Sequence, residues 1–141
     1  MRILLDTNVI SEPQKPQPST AVERFIRDTP EESLYLSIIT IAELYRGVAL
    51  MAEGRRRIRL SEWVAAELPA RFGDRLLPIS TSTAALWGEV MAQSRRDGLN
   101  TSIMDGFLAA TAAAHNLAIA TRNVRHFTGL GLTVIDPWNE T

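Results

Sequence analysis

The chain has 141 residues, a net charge of −1 and no cysteine. That length suits one domain of ~100–200 residues, and the missing cysteine excludes a disulfide scaffold, a cysteine-ligated zinc site and a thiol nucleophile. With 45% apolar and 22% charged residues the chain is neither disordered nor collagen-like. No apolar run reaches the ~18 residues of a membrane span, and Asp6 interrupts the N-terminus too early for a signal peptide, so a soluble cytoplasmic protein is expected.

In chain order, Arg2 to Leu5 reads as a buried strand closed by Asp6. Ser11 to Ser19 holds three prolines and reads as a loop. A helix is expected from Thr20 to Arg27 and a second strand over Ser33 to Ser37. Ile41, Leu44, Tyr45, Val48 and Met51 recur at spacings of three and four, which predicts a helix over Ile38 to Met51 with these residues facing the core and Gly54 as its end. Arg55 to Phe72 reads as a further helix ended or kinked by Pro69. Leu76 to Ile79 is a short strand, and Thr81 to Asp97 a helix with Leu86, Val90 and Met91 inward and Gly98 as its stop. Ser102 to His115 is an alanine-rich helix, Leu117 to Ala120 a strand, Asn123 to Phe127 a helical turn and Leu132 to Ile135 the last strand. Strands alternating with helices predict a single α/β domain over residues 1–141 with a mostly parallel sheet. Ligands of such sheets bind beyond the carboxyl ends of the strands, where Asp6, Thr121, Arg122 and Asn123 fall.

Three acids stand in apolar surroundings: Asp6 in LLDTN, Glu43 in TIAELYRG and Asp105 in SIMDGFLAA. Each has a capping alternative. Asp6 can cap a short helix, and Thr40-x-x-Glu43 and Ser102-x-x-Asp105 resemble capping boxes. Together they also suit a divalent-cation site, because Mg2+ and Mn2+ take carboxylate oxygens and relieve the repulsion between them. Such cations polarise a phosphoryl oxygen and activate water. Thr7, Asn8, Thr121 and Asn123 are short polar side chains that can orient a carboxylate, or cap a turn. Arg46 and Arg122 are candidates for a scissile phosphate or for pairing with the acids. Arg55, Arg56, Arg57 and Arg59 suit either an RNA-facing patch or a solvated helix face. Trp63, Phe72, Trp87 and Phe107 are spaced as core or dimer residues.

Other phosphoryl-transfer chemistries are disfavoured. A haloacid-dehalogenase-like site wants a second Asp where Asn8 stands and a downstream lysine, whereas Lys15 is the only lysine. The receiver-domain pattern also needs a late lysine. There is no P-loop, GxGxxG or Gly-x-Ser-x-Gly elbow.

LLDTNVISE at 4–12, SIITIAELYRG at 37–47, the Asp105 helix, ATRNVRHF at 120–127 and TVIDPW at 133–138 together resemble the PIN-domain nucleases, in particular the VapC or FitB-like toxins of prokaryotic toxin–antitoxin pairs. The resemblance implies a three-layer fold with a five-stranded parallel sheet flanked by helices. It implies a Mg2+- or Mn2+-dependent endoribonuclease, a homodimer, a cognate antitoxin and a toxin–antitoxin assembly on operator DNA. The family's acids correspond to Asp6, Glu43 and Asp105. Many PIN domains carry a fourth acid after the fourth strand, where Asn123 stands here, and often an Asp where this chain has His126. Both departures weigh against strong binding of a second metal without removing the three-acid core, and Asn123 leaves room for a second expectation, a catalytically weak scaffold that mainly binds its antitoxin and operator DNA.

Overall fold

The structure is a computed structural model that describes residues 1–139. Its five strands are β1 (Ile3–Leu5), β2 (Leu34–Ser37), β3 (Leu76–Leu77), β4 (Ala118–Ala120) and β5 (Val134–Ile135). They form one all-parallel sheet in the order β3-β2-β1-β4-β5. The three central strands are apolar because both faces of the sheet are covered. Ile3, Leu5, Leu34, Leu36, Ala118 and Ala120 face one core, and Leu4, Ile119 and Leu77 face the other.

The first core is covered by α1 (Thr7–Ser11), α2 (Thr20–Asp28), α3 (Ile38–Ala49), α4 (Arg55–Glu62) and α5 (Leu68–Phe72). The second is covered by α7 (Ile103–His115), through Leu108, Ala109 and Ala112. Helix α6 (Thr81–Arg96) lies on α7, where Trp87 stacks on Phe107 with ring centroids 4.9 Å apart. Gly106 permits that approach, since a Cβ there would meet the Met91 sulfur and lie 3.0 Å from Trp87 Nε1. The three-layer α/β reading and the five-stranded sheet are therefore observed.

Several local expectations change. Residues 11–14 are not loop: α1 begins directly after Asp6, and a 3-10 turn follows over Glu12–Gln14. Pro13 sits inside the first turn of that 3-10 segment, where a missing N–H leaves nothing unpaired. Helix α3 stops at Ala49, and Gly54 instead opens α4 with φ of +155°. Tyr45 does not face the core but is 47% exposed. The segment from Arg55 to Phe72 stays helical past Pro69 through a π-helical turn over Trp63–Glu67, in which the Leu68 N–H reaches back to the Trp63 carbonyl. Pro69 cannot donate to the carbonyl four residues before it, and the wider turn absorbs that loss. The edge strands β3 and β5 are two residues each, shorter than expected. Among the described residues no helix is long and apolar enough to cross a membrane.

Candidate active site at the carboxyl edge of the sheet

Parallel pairing brings the ends of β1 and β4 side by side. The Asp6 N–H donates to the Ala120 carbonyl at 2.9 Å, and the Thr121 N–H to the Ile135 carbonyl at 2.9 Å. The first residues beyond the two strands are thus neighbours. The Thr121 hydroxyl donates to Asp6 Oδ2 at 2.7 Å, and the Thr7 N–H donates to Asp6 Oδ1 at 2.7 Å. Asp6 is therefore both the N-cap of α1 and part of a network reaching across the sheet. It is only 6% exposed.

The network continues on both sides. The Thr7 hydroxyl donates to Glu43 Oε1 at 2.9 Å, which ties α1 to α3. The Asn123 N–H donates to the Thr121 hydroxyl at 3.0 Å, and the Arg122 N–H donates to Asn8 Oδ1 at 3.2 Å. Asp105 lies in the first turn of α7, and its Oδ2 is 3.0 Å from His126 Nδ1. His126 ends a 3-10 turn over Val124–His126 that follows β4.

The electrostatics tie the acids together. Burial pushes the Asp6 carboxyl above its usual value; the Thr121 and Thr7 hydrogen bonds oppose this, and the Asp105 charge adds to it. Burial likewise raises Glu43, opposed by the Thr7 hydroxyl and reinforced by the charges of Asp6 and Asp105. Three carboxylates from separate segments thus share one field. Among the described residues, no three acidic or histidine side chains stand close enough to form a ready-made cation cage. The donor set nevertheless fits a hard divalent ion: carboxylate oxygens, charges that repel, and short polar groups that orient them.

The capping alternatives divide. Ser102 does cap α7, accepting from the Asp105 N–H at 3.1 Å, but the Asp105 carboxylate turns to His126. Thr40 lies inside α3, whose cap is Ser37, so Glu43 belongs to no capping box. Arg46 is exposed on α3, and no hydrogen bond or ion pair to the acids is found for it among the described residues. The Arg122 guanidinium lies 5.1 Å from the Trp138 ring centroid, and among the described residues no hydrogen bond or ion pair from it to the site acids is found, so its expected pairing with them is not observed. Asn123 is exposed and enters the network only through its backbone; His126 is the residue of that turn that touches a site acid.

Sequence reasoning missed Glu12, which is 4% exposed. It accepts from the Ser19 N–H at 2.9 Å and pairs with Lys15 at 2.9 Å, clamping the proline-rich segment. Burial raises its carboxyl, but the Lys15 and Ser19 contacts prevail and hold it below the usual value. An acid three residues before the only lysine was the available signal. Beside the acids runs a groove of about 320 Å³, with Thr7 and Glu43 in its lining, Leu44, Val48 and Trp63 on its walls, and Lys15 and Arg56 also lining it. Arg56 and Arg59 both reach Gln14 at 3.4 Å, so part of the arginine run faces this groove rather than bulk solvent alone.

A family model described as PIN domain matches residues 3–129. The chain is 38% identical over 138 residues to Toxin FitB of Neisseria gonorrhoeae, covering 98% of this chain and 99% of that one. It is 40% identical over 136 residues to VapC ribonuclease Y4jK of Sinorhizobium fredii, covering 96% and 97%. Among solved structures it is similar to FitAB bound to an IR36 DNA fragment, with a TM-score of 0.92, 37% identity and coverage of 99% of this chain and 97% of that one.

Proposed function

The chain belongs to the PIN domain family, and on that premise we propose that it is the endoribonuclease toxin of a toxin–antitoxin pair, dependent on Mg2+ or Mn2+. The observation that carries this reading is the hydrogen-bond network at the carboxyl ends of β1 and β4, in which Thr7 joins Asp6 to Glu43 and Thr121 holds Asp6 from the other side, with the Asp105 charge adding to the rise of both carboxyls. Asp6, Glu43 and Asp105 would hold the cation. When bound, the cation supplies Lewis acidity to the phosphoryl group and lowers the pKa of water.

The remaining residues support that chemistry. Each Asp6 oxygen spends one lone pair on Thr7 or Thr121 and keeps another free. Thr7 orients Glu43 as well, so one residue fixes the relation between two acids. Asn8 and Asn123 hold the turn after β4 against α1. Lys15 and Arg56 offer positive charge to the phosphates of an RNA strand laid along the groove. A cognate antitoxin and an assembly on DNA complete the reading, by likeness to FitAB bound to an IR36 DNA fragment, and a homodimer and an operator as that DNA are what the family resemblance adds. Exposed Ile38, Ile103 and Met104, at the starts of α3 and α7, suit the homodimer contact.

Induced expression in a bacterial host tests the reading. Growth should stop, total RNA from arrested cells should carry new cleavage ends, and co-expression of the neighbouring reading frame should restore growth. Uninterrupted growth with undiminished levels of the folded protein would refute the toxin assignment.

A further inference from the structure

His126 is the one residue whose side-chain nitrogen touches a site acid among the described residues. Its ring is poised rather than buried: the side chain is 54% exposed, while the backbone is fixed by its N–H to the Asn123 carbonyl at 3.0 Å and by the buried Phe127 that follows. Its Nδ1 lies 3.0 Å from Asp105 Oδ2. That separation is a hydrogen-bond distance, and it also leaves Nδ1 and Oδ2 close enough together to serve one cation. Imidazole suits first-row transition ions, whereas Mg2+ prefers oxygen.

We propose that His126 contributes an imidazole nitrogen to the cation site at Asp105 and thereby shifts the preference of this chain from Mg2+ toward Mn2+. The inference rests on the cation reading above. Coordination uses the lone pair of Nδ1 with the proton carried on Nε2. The alternative role is a hydrogen bond that merely orients Asp105, which would affect both cations equally. His115 serves as an internal control: it lies ten residues along α7 from Asp105, about 15 Å away.

Calorimetric titration of Mg2+ and of Mn2+ into the full chain at one fixed pH tests this, using the native protein, His126→Ala and His126→Asp. His126→Ala should weaken Mn2+ by about tenfold while leaving Mg2+ nearly unchanged. His126→Asp should tighten Mg2+ more than Mn2+. Electron spin-echo spectra of the native protein loaded with Mn2+ should show modulation from a bonded histidine nitrogen, unaltered by His115→Ala and lost in His126→Ala. Equal weakening of both cations in His126→Ala, or no nitrogen modulation in the native protein, overturns the proposal and leaves the cation site standing. A native protein that binds neither cation overturns both.

Discussion

Replacing Asp6 by Asn keeps an oxygen to accept from the Thr7 N–H and removes a charge that burial disfavours. The sign of the effect depends on pH. The folded-state pKa of Asp6 is raised above its ordinary 3.8, so its protonated form stabilises the native chain at low pH, and that contribution is lost as pH rises through the raised value. Urea unfolding of the cation-free proteins should show Asp6→Asn gaining stability relative to the native chain as pH climbs from about 4 toward neutrality. A constant difference across that range would mean that Asp6 titrates normally. The acids were legible in the sequence because each interrupts an apolar run. The partners of the charged side chains were not, because spacing carries no direction: Arg122 turns to Trp138, and His126 meets Asp105 only after two segments twenty-one residues apart fold together.

The junction of α6 and α7 sets the position of Asp105, which is the neighbour of Gly106. Gly106→Ala places a methyl against Met91 and Trp87, an overpacking effect of about 1–3 kcal/mol. Gly88→Ala in α6 meets open space and should stabilise by up to ~1 kcal/mol through helix propensity. Chemical unfolding of the two variants should therefore move in opposite directions; equal shifts would show that the helices do not pack as closely as described. Elements with strong periodicity and clear caps, such as α2, α6 and α7, were readable from sequence. Those governed by backbone accounting were not. A π-helical turn accommodates Pro69, and Asp6 starts α1 beside a proline-rich stretch that reads as loop. The edge strands are too short to carry a pattern of their own.

Across the molecule, the sheet order places the ends of β1 and β4 together and the starts of α3 and α7 beside them, which gathers acids 37 and 62 residues apart in sequence. Burial raises the Asp6 and Glu43 carboxyls, and the neighbouring acid charges add a smaller push. A cation that binds only the native state at a hundredfold excess over Kd adds ~2.7 kcal/mol, a rise in melting temperature on the order of 10 °C. Glu43→Gln and Asp105→Asn should each shrink that rise. A rise that persists undiminished in both variants would place the cation elsewhere.

The most direct test of the central claim is cleavage of an end-labelled RNA by the purified chain and by Asp6→Asn, each with Mn2+ or with EDTA. The native chain should cut only with the cation, and the folded variant should not cut in either condition. Undiminished cleavage by Asp6→Asn, or cleavage by the native chain in EDTA, would contradict a carboxylate-held cation as the origin of the activity.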